Sequence, residues 1–167
     1  FKKVISLSPS MAEAHYNLGY VIHKLGRCSE ALDSYKEALK LNPKYSECYN
    51  SIGNIFSDFK QLDEAEVMFR TAITLNSKFT LAYYNLANCL KEKGNLRDSE
   101  NFYKKAIKLN PNFKEALNNL GNTLSNLGNL KESVKCFIQA IKIDPNYIEA
   151  WNNIIIPAVA LKNLRSE

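Results

Sequence analysis

Several features that would announce a chemistry are missing from these 167 residues. No apolar run approaches the roughly 18–20 residues needed to cross a bilayer, which excludes a helical membrane span. The four cysteines, Cys28, Cys48, Cys89 and Cys136, include no C-x-x-C pair, so the spacing that small metal and redox motifs use is absent. Only two histidines occur, and His23 has no cysteine or carboxylate spaced to complete a metal site. There is no G-x-x-x-x-G-K-[ST] or G-x-G-x-x-G loop to cradle a phosphate. No Ser–His–acid set is suggested, because every serine falls in a repeating column or a turn. Charge of one sign is not concentrated either: 22 basic against 17 acidic residues give +5, far from the dense Lys/Arg clustering of a dedicated nucleic-acid binder. These absences point away from an enzyme, a cofactor protein, a metal site, a membrane protein and a nucleic-acid binder.

What remains is ordinary globular composition, 46% apolar and 23% charged, enough to bury a core in one domain or one continuous array. No signal-peptide pattern opens the chain. Phe1 to Ile5 read as the back half of a helix, so the chain is expected to be an interior piece of a longer protein. Four cysteines permit two disulfides, but each falls in a helix-packing register, and reduced, inert thiols in a cytoplasmic setting are expected.

The dominant signal is repetition. Asn17-Leu18-Gly19 returns as Ser51-Ile52-Gly53, Asn85-Leu86-Ala87, Asn119-Leu120-Gly121 and Asn153-Ile154-Ile155, each step being 34 residues. Further columns keep the same register: Ala31, Ala65, Ser99, Ser133; Tyr35, Phe69, Tyr103, Phe137; Ala38, Ala72, Ala106, Ala140; and Pro9, Pro43, Ser77, Pro111, Pro145. Within each unit the apolar spacing is helical. In the fourth, Ala116, Leu117, Leu120, Gly121, Leu124 and Leu127 mark one face of a first helix. Gly128-Asn129 breaks it with a residue that tolerates positive φ. Leu130, Val134, Phe137, Ile138, Ala140 and Ile141 mark a second helix that closes at Asp144-Pro145, where proline disfavours further helix. Small Gly121 and Ser133 are expected to face each other across the hairpin, with Phe137 and Leu117 filling the wider spaces.

These residues resemble the tetratricopeptide repeat, whose pattern W-x2-L-G-x2-Y, A-x3-F, P stands in the first full unit as His15, Leu18, Gly19, Ile22, Ala31, Tyr35 and Pro43. The resemblance implies an all-α fold, a right-handed superhelical solenoid of antiparallel helix pairs. The expected organisation is a second-helix remnant over 1–11, full repeats over 12–45, 46–79, 80–113 and 114–147, and the first helix of a fifth, atypical repeat over 148–167. That last unit has Trp151 in the tryptophan slot but Ile155 and Ile156 where glycine and a polar residue belong. Pro157 is expected to kink or end its helix.

Stacked helix pairs form a concave surface, and the family implies that first helices line it with their second, fifth, sixth, ninth, twelfth and thirteenth positions. The sixth column reads Asn17, Ser51, Asn85, Asn119, Asn153, and the ninth Tyr20, Asn54, Asn88, Asn122, Ile156. Asn50, Asn118 and Asn152 add to the fifth. An asparagine amide offers two donors and an acceptor, which suits the N–H and C=O of an extended peptide, while asparagine is a poor helix former. The set is similar to the asparagine ladder in the repeat domain of O-linked N-acetylglucosamine transferase. It does not resemble the dicarboxylate clamp of co-chaperones, since Lys24 and Lys91 are the only inward bases. A structural role, with the amides bracing neighbouring helices, stands beside the binding role.

Other columns read as structure. Glu13, Glu47, Glu115 and Glu149 suit the positive end of the first-helix dipole. Lys36, Lys40, Arg70, Lys104, Lys105, Lys108 and Lys142 fall on a solvated outer face. His15 reads as packing, and Tyr45, Phe79, Phe113 and Tyr147 read as packing between neighbouring units, although aromatics so spaced could also stack bases. Three functions follow. The first is a scaffold holding an extended segment of a protein or peptide partner. The second is the substrate-docking region of a larger enzyme with a glycosyltransferase- or sulfotransferase-like catalytic domain elsewhere. The third is end-to-end self-association through uncapped terminal helices.

Overall fold

The computed structural model describes residues 11–163, so the expected remnant over 1–11 lies almost wholly outside the described residues. Within them there are nine helices and no strand: α1 (Ala12–Lys24), α2 (Cys28–Leu41), α3 (Ser46–Asp58), α4 (Leu62–Leu75), α5 (Thr80–Glu92), α6 (Leu96–Leu109), α7 (Lys114–Asn126), α8 (Leu130–Ile143) and α9 (Ile148–Asn163). The chain is all-helical, as its periodicity requires. It divides into two compact units, one ending at Ala82 and the other beginning at Tyr83.

The first helices of the four full repeats stop in the same way. The backbone N–H groups of Arg27, Gln61, Asn95 and Asn129 reach back five residues to the carbonyls of Ile22, Phe56, Leu90 and Leu124, closing the helix end with a left-handed residue between. That residue is Gly26, Gly94 and Gly128, with φ near 80°, but Lys60 in the second repeat, with φ 60°. Second helices end on another device. The side chains of Asn42, Asn76, Asn110 and Asp144 accept the backbone N–H two residues on, at 3.0–3.1 Å, which fixes the turn into the next first helix. Helix starts carry no side-chain cap at Met11, Arg27, Tyr45, Gln61, Asn95, Phe113 or Asn129. Acidic residues in the first turn, Glu13, Glu47, Glu115 and Glu149 among them, complement the helix dipole instead.

Packing within a pair follows the small-residue columns. A Cβ placed on Gly19, Gly53 or Gly121 would come within 2.6–2.8 Å of the ring of Tyr35, Phe69 or Phe137, so glycine is what lets those aromatics bury completely. The serines that replace alanine make a hydrogen bond across the same hairpin: Ser99 Oγ donates to the Ala87 carbonyl at 2.8 Å, and Ser133 Oγ to the Gly121 carbonyl at 2.7 Å. In the first unit Ile22, Tyr35, Cys48, Ile52 and Ile55 form the core. In the second, one cluster gathers Tyr103, Leu120, Leu124 and Cys136, and another gathers Leu117, Phe137, Ala140 and Ala150.

Of the two outcomes expected at Pro157, a kink or an end, the helix α9 overturns the second. Pro157 neither ends it nor breaks it: the helix continues to Asn163 with Pro157 inside. Proline removes one backbone donor, but Pro157 stands in the tenth column, where Ile55, Cys89 and Thr123 are buried, and its own ring is buried too. Packing of the ring offsets the missing bond.

Candidate functional site

Three of the five residues in the sixth column act as braces. In the first unit Ser51 Oγ donates to Tyr16 Oη over a long 3.5 Å. In the second, Asn119 Nδ2 donates to Tyr84 Oη at 3.1 Å and to Asn88 Oδ1 at 3.0 Å, and Asn153 Nδ2 donates to Asn118 Oδ1 at 3.0 Å. The rule is common to all three: a sixth-position donor meets the fifth-position side chain of the preceding repeat, 35 residues earlier. Sequence columns placed these residues on one face, but the offset of 35 rather than 34 was the signal for who meets whom.

The ninth column splits according to the aromatic behind it. Tyr103 is fully buried, and its hydroxyl donates to Asn88 Oδ1, which also receives Asn119. Burial drives the Tyr103 pKa well above the ordinary phenol value, since ionisation would strand a charge in the core. Repeats two and four carry Phe69 and Phe137 in that place, so Asn54 and Asn122 have no such hydroxyl to accept. Both amides are half-exposed and make no side-chain hydrogen bond among the described residues. Asn17 is likewise half-exposed, Asn50, Ser51 and Asn118 are buried, and Tyr20 is exposed beneath the Lys24 ammonium, 5.5 Å from its ring centre. Asn85 is half-exposed and already engaged.

The neighbouring groups complete the picture. His23 Nε2 lies 3.2 Å from Asp58 Oδ2, again with a spacing of 35, a pair that metal-ligand spacing does not reveal. Lys91 is half-buried, and burial lowers its pKa. Tyr45 packs on Tyr16 and Phe113 on Tyr84, with ring centres 4.9 and 4.8 Å apart, so these ring pairs lie within single repeats, where packing between neighbouring units was expected. All four cysteines are free thiols. Burial pushes Cys48 up to about 12 and Cys136 up to about 11, which keeps both protonated and unreactive near neutrality. No group of His, Cys, Asp and Glu that could hold a metal ion occurs among the described residues, and none of their helices is long and apolar enough to cross a membrane. A cleft of about 400 Å³ is lined by Gly128–Glu132 and Leu161 and by none of the candidate asparagines; an extended ligand on a helix face needs no such pocket.

Repeated helix pairs with this column chemistry define a class, the helical repeat protein. The chain belongs to the tetratricopeptide repeat family: family models of that description match residues 10–78, 80–113 and 115–147. No curated protein matches it by sequence. Solved structures do match in fold. YrrB, described as a TPR protein with an unusual peptide-binding site, is 24% identical with a TM-score of 0.81, over 98% of this chain and 84% of that one. MamA is 26% identical with a TM-score of 0.77, over 89% and 86%. MamA 41-end from Desulfovibrio magneticus RS-1 is 17% identical with a TM-score of 0.82, over 93% and 88%. Family and fold together support a protein-interaction scaffold.

Proposed function

We propose that the first-helix face of each unit binds an extended segment of a partner protein through asparagine amides that grip its backbone. The observation that carries this reading is the pair Asn54 and Asn122, one in each unit: accessible amides whose donors and acceptor are unspent inside the protein. A peptide backbone offers the complementary N–H and C=O at every residue, so such contacts would tolerate many sequences. The resemblance to the ladder of O-linked N-acetylglucosamine transferase belongs to this proposal, with Asn17, Tyr20 and Asn85 as further contacts. Asn88, Asn118, Asn119 and Asn153 would mainly hold the face in shape. YrrB binds peptide in the same fold, which is consistent with the reading. The free thiols favour a reducing compartment such as the cytoplasm. Self-association is a separate proposal that rests on α9.

A panel of unstructured polar peptides of unrelated sequence, titrated calorimetrically, tests it. Asn54→Ala and Asn122→Ala should each weaken binding about two- to tenfold, the worth of one or two hydrogen bonds, with helicity unchanged. Unaltered binding in both variants would sink the proposal.

A further inference from the structure

α9 bears the most exposed apolar surface of the described residues. Ile148, Trp151, Ile155, Ile156 and Val159 are 51–77% exposed, whereas Ala150 and Pro157 on the opposite side are buried. In the other repeats of both units, the eighth position of the first helix receives the aromatic of its second helix across a glycine or alanine. At Gly121 even a bare Cβ would stand 2.7 Å from the Phe137 ring. α9 has Ile155 there, so an aromatic placed as Phe137 is against Gly121 would meet a branched side chain. Whatever covers this face approaches differently, with a small side chain opposite Ile155.

A second copy of α9 supplies that side chain. Trp151, Ile155, Ala158 and Lys162 follow one another at spacings of four, three and four, which is the seam of a paired helix. Laid antiparallel about a two-fold axis between positions 156 and 157, the seam matches itself. Ile155 meets Ala158 of the other copy, large against small, and Trp151 meets Lys162 of the other copy, ring against cation. The indole is already oriented, because its N–H donates to the Pro145 carbonyl at 2.9 Å. We propose that the chain forms a two-fold dimer through this antiparallel pairing of α9. A helix of 16 residues buries less than the roughly 1,200–2,000 Å² of a standard interface, so the dimer is weak and dissociates on dilution.

Sedimentation velocity over a wide concentration series reads the mass, and Trp151, the only tryptophan in the chain, reads the face directly. The expected result is a monomer–dimer equilibrium whose midpoint coincides with a blue shift of tryptophan emission. Ile155→Glu should leave a helical monomer at every concentration. Lys162→Ala should weaken the dimer by about two- to fivefold. Ile155→Ala and Ala158→Ile should each weaken it, and the double variant should recover, because the large–small pair is then merely exchanged. Each of these residues is outward-facing or at the end of its helix, and circular dichroism checks that the fold is kept. A wild-type chain that stays monomeric overturns the proposal and leaves the face to a helix of another protein. A dimer indifferent to Ile155→Glu, an emission that ignores dimerisation, or a double variant no better than the singles overturns it equally.

Discussion

Tyr35 in the first unit and Tyr103 in the second fill the same column and are both fully buried, yet their hydroxyls fare differently. Tyr103 donates to Asn88. Tyr35 Oη is buried with no hydrogen-bond partner. Burial drives the Tyr35 pKa well above its ordinary value, and the nearby Ser51 hydroxyl opposes that rise only in part, its own hydrogen bond going to Tyr16. The difference is one residue: the ninth position is Asn88 in the third repeat and Tyr20 in the first, and Tyr20 points its ring into solvent under Lys24. A polar atom in a core column is best placed where a second column supplies its acceptor. The first unit breaks that rule and the second obeys it. A milder contrast appears at the turns, where the first unit places Lys60 as well as Gly26 in the left-handed conformation and the second uses Gly94 and Gly128.

The largest effect expected from this contrast is in the second unit. Asn88→Ala removes the acceptor of a buried hydroxyl and one partner of Asn119, so it should lower stability by about 2 kcal/mol, the penalty of an unpaired buried polar group. Urea unfolding followed by circular dichroism measures it, and a loss within error would show that the hydroxyl finds water or another partner. Next come two substitutions of the same chemistry with opposite signs. Tyr103→Phe should lose about 1 kcal/mol, while Tyr35→Phe should be neutral or gain about 1 kcal/mol, since it deletes an unsatisfied group. Equal losses at both sites would erase the contrast. Smallest is Lys60→Gly, which relieves a left-handed side chain and should raise stability by roughly 0.5–1 kcal/mol; a decrease would mean that the Lys60 side chain contributes more than its backbone strain costs.

Much of the fold was legible because its determinants are local and recur. The spacing of Ala116, Leu120 and Leu124 marks a buried helix face, Gly128 marks its end, and Gly121 marks the close approach of Phe137; each reads within one repeat. The candidate face was legible only as far as its columns. Position says that Asn54, Asn88 and Asn122 share a face, but not that Asn88 is bound by Tyr103 while the other two are open. That depends on the aromatic fifteen residues further along and on a neighbour in the next repeat. His23 and Asp58 escaped for the same reason, each being unremarkable in its own repeat. Pro157 misled because its backbone rule is local, whereas the packing that keeps α9 helical is not.

The offset brace has a consequence for how such an array can change by duplication or loss of repeats. Asn119 and Asn153 each look backward for a partner at the fifth position of the repeat before. Tyr84 and Asn118 satisfy them, and an alanine or leucine there would strip Asn153 of that acceptor and leave Asn119 with Asn88 alone. Repeats of this chain are therefore directional modules with a donor edge and an acceptor edge. Excising or transposing one keeps the brace only where the new neighbour carries a hydroxyl or amide at its fifth position, as Tyr84 and Asn118 do.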